Sequence, residues 1–463
     1  MAVTITQNPG EYNLASGINA VTLANIGASQ RKYVLQIRDL SGTTTLADVR
    51  QSPNLAGVAL FDIQDILKNY VGPSAAGVEN TNGWVTGEEE TYQYTIYYGS
   101  EDADGVVDID GGVSGRIVMS GRKGWDDIPW SDANDYRCQL TQNGGCTTVQ
   151  RQGELLTDYP TLVAASDLPG TVPSFITSYT NAQVYVKDLY FTDDYSISAL
   201  QDPIDIGTVT ARNISAARVM AYDSSGTLLN DAPIYNTTLL GGGPDTTSAQ
   251  NAALTYPYWA ITLPCGPSDS EVAQELPLGT AYYYVTLHSY QLTACSQPRT
   301  YPNLEDIPSF RAYRFNIIDP PCNDFEPVEV SWQNSLGFRD YWTFTKRWDE
   351  QYTANRNEYL KNTFNWNGTS VAISEGAKGY TVFGQQLNGI YTIRTDWLTD
   401  EYSEFLKNLF VSADVRVKLP GSTTWDSVSL QSSTYDVKTV RKDRMFQYEL
   451  KFRMANNLNS QRG

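Results

Sequence analysis

Apolar residues recur along this chain at two periods, and the shorter one prevails. The clearest stretch is near the end. Phe446, Tyr448, Leu450, Phe452 and Met454 alternate with Gln447, Glu449, Lys451 and Arg453. Period two over nine residues predicts an antiparallel strand buried on one face. Val415, Val417 and Leu419 alternate in the same way, and Trp425–Leu430 and Ser433–Val440 extend the series. Nearer the front, Tyr33, Leu35 and Ile37 share one face of a predicted strand, with further strands at Thr91–Tyr98 and Arg116–Ser120. Val184–Tyr190, Val219–Tyr222, Trp259–Leu263, Tyr282–His288 and Ala312–Ile318 are the strand candidates of the middle, and Val328–Trp332 opens the last region.

The longer period appears twice. Ile63, Ile66, Leu67, Tyr70 and Val71 stand at i, i+3, i+4, i+7 and i+8, the stripe of an amphipathic helix, with Asp62 placed to cap it. Tyr402, Phe405, Leu406, Leu409 and Phe410 repeat the stripe, with Asp400 and Glu401 at its start and Lys407 toward its end. The class predicted is therefore mainly β with a few helices, built from antiparallel sheets or sandwiches. Three regions are expected: 1–160, β-rich with one helix; 161–326, β; and 327–463, β with one helix. Asp319-Pro320-Pro321 to Pro327 reads as the linker before the third, since consecutive prolines continue neither a helix nor a central strand. Gly241–Thr247 reads as an exposed loop.

Composition narrows the function. The chain has 463 residues and a net charge of −19, which argues against nucleic acid as a partner. Residues 327–463 hold 17 Lys/Arg against 15 Asp/Glu, leaving 16 against 37 in residues 1–326. A near-neutral end joined to an acidic remainder predicts two surfaces with different neighbours, or an acidic part that is simply well solvated. No apolar run is long enough for a membrane helix, and the first residues have neither the basic nor the apolar part of a secretory leader. Five cysteines at irregular spacing fit free thiols in a reducing compartment. Cys138 and Cys146 flank Asn143-Gly144-Gly145 and can alternatively face each other across a hairpin.

Catalytic chemistry has little to stand on. His288 is the one histidine, which removes paired-imidazole metal sites and most Ser-His or Cys-His machinery. No phosphate-binding glycine loop, nucleophile elbow or zinc-protease motif occurs. The chain is read as not an enzyme and as needing no cofactor. Asp102, Asp104, Asp108 and Asp110, with Gly105, Gly111 and Gly112 among them, form a Ca²⁺ candidate, or else a solvated acidic hairpin tip. Trp125 and Trp130, and Trp342 and Trp348, bracket short polar stretches. Such rings serve a core, a subunit interface or a stacking site for glycan.

Three blocks carry a resemblance. They are Val330-Ser331-Trp332-Gln333-Asn334-Ser335-Leu336-Gly337-Phe338-Arg339-Asp340-Tyr341-Trp342-Thr343-Phe344, then Thr395-Asp396-Trp397-Leu398-Thr399-Asp400-Glu401-Tyr402 running into Leu406–Leu409, and the closing Tyr435–Lys438 and Gln447–Phe452. Together they resemble virion structural proteins of tailed bacteriophages that infect Bacteroidetes, including crAss-like phages. Gly57–Leu67 has a similar character. The C-terminal helix with its strands is also similar to the tail-tube type of fold. The resemblance implies a subunit of the tail, collar or head–tail junction, assembled in the host cytoplasm. Its partners would be copies of itself and other virion proteins, and it would form a symmetric ring or adaptor. The alternative is a head or tail fibre that recognises host-surface glycan.

Overall fold

The computed structural model describes residues 2–10, 12–73, 83–87, 89–121, 136, 139–143, 146–178, 181–200, 214–236, 260–268, 270–289, 308–319, 325–361, 364–366, 368–373, 379–431, 447–455 and 460–462. The chain is mainly β, as its alternation predicts. Among the described residues there are four α-helices, all short: α1 (Gln64–Lys68), α2 (Ser174–Thr177), α3 (Glu271–Gln274) and α4 (Asp400–Val411). None is long and apolar enough to cross a membrane.

Two compact units divide the chain. Unit 1 comprises Met1–Pro320 with Trp332–Tyr341, and unit 2 comprises Pro321–Ser331 with Trp342–Gly463. The three regions read from the sequence do not map singly onto these units. Regions 1–160 and 161–326 share unit 1 up to Pro320, and a short segment of the third region counts with them.

Unit 1 opens with a sandwich. A five-stranded sheet, in the order Tyr12–Leu14, Val107–Met119, Thr91–Asp102, Gln30–Asp39 and Thr45–Gln51, shares a core with the three strands Thr4–Gln7, Ala20–Ala24 and Ala59–Asp62. Tyr33, Leu35 and Ile37 are fully buried there against Val21, Leu23, Phe61, Ile63 and the helix residue Leu67. The cap of α1 sits one residue from its expected place. Ile63 occupies the N-cap position, and the Asp62 carboxylate accepts the Gln64 amide at 3.0 Å. The Thr91–Asp102 and Val107–Met119 strands run further toward their turn than the sequence suggests. Glycine permits this: a Cβ on Gly99 would lie 1.9 Å from the Asp108 carbonyl oxygen.

The rest of unit 1 is built on six strands in the order Leu162–Ala164, Gln183–Tyr190, Tyr313–Ile318, Tyr282–Ser289, Ile214–Tyr222 and Leu228–Tyr235. Gln183–Tyr190 and Tyr313–Ile318 pair in parallel, and the remaining pairs are antiparallel. One face carries Val184, Tyr222, Tyr282 and Tyr284 under Ala165, Leu168 and the α2 residue Ile176. Aromatic rings cluster densely: Tyr313 stacks on Phe315 at 4.8 Å and on Tyr185 at 5.0 Å, and Tyr195 meets Phe315 edge-on at 5.2 Å. The excess of tyrosine over phenylalanine has its reason here, because the ring fills the core while the hydroxyl reaches a partner. Tyr195 and Tyr313 bond through their hydroxyls at 2.8 Å, and the Tyr283 hydroxyl donates to the Cys265 carbonyl.

Unit 2 is a sheet under one helix. The strands run in the order Arg339–Phe344, Val328–Gln333, Val415–Lys418, Asp426–Leu430, Glu449–Met454, Tyr380–Arg394 and Asp349–Leu360, with Ser460–Arg462 beside the sixth; of the first two strands, Arg339–Tyr341 and Trp332–Gln333 count with unit 1. Leu450 and Phe452 are buried while Glu449, Lys451 and Arg453 are exposed, the alternation read from sequence; Phe446 and Ser433–Val440 lie outside the described residues. Helix α4 buries Phe405, Leu406 and Leu409, and its Ser403 hydroxyl bonds that of Tyr448 at 2.7 Å. Lys407 falls short of the last turn and pairs instead with Glu404 at 3.4 Å.

Candidate functional site

Asp349–Leu360 and Tyr380–Arg394 pair antiparallel in continuous register from Asp349↔Thr392 to Leu360↔Tyr380, broken by a bulge after Asn357. At about 3.4 Å per residue this ladder is about 40 Å long. The rest of the sheet supports its base and one short stretch further out. Glu449–Met454 pairs with Tyr391–Arg394, and Ser460–Arg462 pairs with Gly384–Gln386. At the base, Arg394 bridges Asp349 at 2.8 Å and Glu449 at 3.1 Å, Tyr391 stacks on Phe452, and Trp348 lies along Tyr391. Further out, both strands form an arm. Every residue from Glu350 to Leu360 is exposed, so neither face of the first strand is covered by the chain's own core. A small hairpin, Phe364–Trp366 with Val371–Ile373, follows between them.

Among its polar residues the arm exposes large apolar side chains. Tyr352 is 55 %, Tyr359 47 %, Trp366 64 %, Tyr380 69 % and Phe383 52 % exposed. Leu360, Val371 and Val382 are exposed beside them. Leu360 lies across from Tyr380, and Tyr359 meets Phe383 at 6.0 Å. Among the described residues Asp349–Leu360 is the terminal strand of its sheet. It is twice the usual strand length, and no proline interrupts it. The sequence pattern is silent on this element, because a ladder with two uncovered faces has no apolar periodicity. A signal was nevertheless present: Tyr and Thr residues in a stretch of twelve without Gly or Pro.

The residues singled out from sequence do not converge. Asp102 works inside its hairpin turn, where its carboxylate accepts the Asp104 and Val106 amides at 2.9 Å and Gly105 adopts φ 82°. Asp110 accepts the Val3 amide at 2.9 Å. Among the described residues no group of three or more His, Cys, Asp or Glu is placed to hold a metal ion. Trp342 packs on α4, 5.3 Å from Tyr402 and 6.2 Å from Phe405, so it serves its own unit. Trp125 and Trp130 lie outside the described residues, as do Gly241–Thr247, Cys138, Cys295 and Cys322. Cys265 is a buried free thiol. His288 is buried, with Nε2 2.8 Å from the Thr286 hydroxyl and its ring edge-on to Phe175.

A second constellation, unannounced by any motif, lies within unit 1 around Trp332–Tyr341. Asn334 donates to the Leu156 carbonyl at 2.9 Å, and the Ser335 amide and hydroxyl both donate to the Asp158 carboxylate at 2.6 Å. Asp340 accepts from the Thr157 hydroxyl and, at 3.0 Å, from the Asp158 amide. The Lys187 ammonium donates to the Tyr341 carbonyl at 3.1 Å and sits 4.5 Å above the Tyr159 ring. Burial pushes Asp340 up to about 7, with the Asp158 carboxylate adding to the rise and the bonds it accepts opposing it. Burial likewise lowers Lys187 to about 8, against the pull of Asp193, Asp340 and Asp188. Perturbed groups often mark catalysis. Here their polar atoms engage neighbouring backbone and side chains, and the cluster reads as a clasp that fixes Trp332–Tyr341.

No protein-family model and no curated protein matches the chain. Solved structures give faint likenesses. One is to the fibronectin(III)-like modules of Clostridium thermocellum CbhA, at 9% identity over 70% of this chain and 98% of that one, with a TM-score of 0.14. Another is to a marsupial T cell receptor, at 10% identity over 85% of this chain and 96% of that one, with a TM-score of 0.17.

Proposed function

We propose that this chain is a structural subunit of a tailed-phage virion, forming a symmetric ring or adaptor in the tail or collar through protein–protein contacts. The observation that carries the reading is the arm, whose first strand, Asp349–Leu360, is open to solvent on both faces and which exposes aromatic side chains along its length. A monomer gains nothing from exposing such a surface, and contiguous apolar patches of this kind mark association sites. The resemblance of Val330–Phe344, Thr395–Leu409 and Gln447–Phe452 to phage virion proteins supplies the setting. The perturbed groups of unit 1 are engaged in holding structure, which fits a scaffold.

Cryo-electron microscopy of intact particles tests this. A closed ring with rotational symmetry above threefold, near the tail or its junction with the head, is expected. Isolated trimers projecting from the capsid would refute it and favour a glycan-binding fibre.

A further inference from the structure

We propose that the occupant of the arm is a second copy of this chain, added along the free edge of Asp349–Leu360 and packed on its exposed rings. This rests on the reading of the chain as an assembling subunit and names the partner at that site.

Three observations support it. The first is area. Five arm aromatics at roughly half to two-thirds exposure, at about 150–250 Å² each when fully covered, offer about 600 Å². These rings lie on both faces, Tyr359 with Phe383 on one and Leu360 with Tyr380 and Val382 on the other, so a partner that wraps the edge, and not one lying flat on a single face, reaches toward the roughly 800 Å² that each side contributes to a stable interface. The second is charge. Copies of a chain with net charge −19 repel one another, so they associate best through an element that adds nothing to the repulsion. Residues 349–394 carry four acidic and four basic residues, whereas the acidic excess lies in residues 1–326. The third is the edge. Long terminal strands invite pairing, and proteins usually blunt them with proline, lysine or short length. Asp349–Leu360 has neither residue and is not short; its charges, Asp349, Glu350, Arg356 and Glu358, and the bulge after Asn357 blunt the edge only in part. Its outer backbone groups, which pair with no strand among the described residues, can take a further strand, while Tyr352, Tyr359 and Leu360 give the contact specificity.

The test uses the full chain in about 1 M salt, where the Debye length falls to about 3 Å and like-charge repulsion is screened. Sedimentation should show species at multiples of 51.4 kDa. The double variant Leu360→Asp, Tyr380→Asp should weaken association about 100-fold while melting with the parent, because both side chains are exposed. A photoreactive residue replacing Tyr359 gives a measurement independent of variant stability: the expected adduct is two copies of this chain, in solution and in particles. A monomer at every concentration, association unchanged in the double variant, or an adduct to a different polypeptide would overturn the proposal. A chain that pairs through the arm yet is absent from particles refutes the virion reading alone. A particle ring whose copies meet away from the arm refutes this inference alone.

Discussion

Cutting Phe452 back to alanine probes the packing of unit 2 at its centre. The side chain is fully buried. Its ring stacks on Tyr391 at 5.4 Å and 8°, and the backbone is held on both sides, opposite Tyr391 in one strand and Leu430 in the other. Removing a buried phenyl withdraws about 150 Å² from the core, worth about 4 kcal/mol at about 25 cal/mol per Å². Neighbours held in a continuous ladder cannot collapse into the gap, which keeps the loss within the roughly 3–5 kcal/mol found for such truncations. At about 3 °C per kcal/mol for a unit of this size, the melting temperature of unit 2 should fall by about 10 °C or more. Scanning calorimetry is the assay, because it shows whether one transition moves while the other stays. A shift within about 2 °C would mean that this face is not closed in solution, and the assignment of the core to Leu450 and Phe452 would fail.

Other outcomes follow from the same geometry. Asp340 holds its proton up to about pH 7 in the folded chain but loses it near its ordinary value when unfolded. Stability should therefore fall as pH rises across that window, by up to about 1.4 kcal/mol per pH unit, and level off above it; Asp340→Asn should remove this slope in denaturant titrations, and an unchanged slope would place the titration elsewhere. Gly99→Ala must displace the Asp108 backbone, so unit 1 should lose about 2 kcal/mol or more by chemical denaturation; parent-like stability would show the two strands more loosely apposed. Cys265 is buried and its thiol is pushed well above its usual range by burial. It should resist alkylation in the native chain and react in denaturant, where all five thiols should be modified without a reductant; blocked Cys138 and Cys146 would reveal the hairpin disulfide.

What the sequence disclosed depended on whether an element had one wet face. Glu449–Met454 was legible because Leu450 and Phe452 face a core while their neighbours face water. Helix α4 was legible for the same reason, with Phe405, Leu406 and Leu409 on one side. Asp349–Leu360 was not, since water reaches both of its faces and no alternation is imposed on it. The clasp was hidden for a different reason. Asp340 and Thr157 are 183 positions apart, and a polar pair brought together by tertiary structure leaves no local pattern. The four aspartates at 102–110, read as a Ca²⁺ candidate or an acidic hairpin tip, show how density in sequence leaves the roles open: Asp102 answers turn amides and Asp110 the Val3 amide.

The placement of Trp332–Tyr341 bears on how the chain is made. Synthesis delivers Met1–Pro320 first, then a stretch of unit 2, and only afterwards the segment that completes unit 1. Until Tyr341 has left the ribosome, the Leu156 carbonyl and the Asp158 carboxylate lack Asn334 and Ser335 as donors, and Lys187 lacks the Tyr341 carbonyl. The first unit must wait, partly formed, for part of the second to emerge. A nascent chain halted at Pro320 would therefore expose an unfinished core to chaperones, and a gene cut there would leave the first fragment without the segment that completes it.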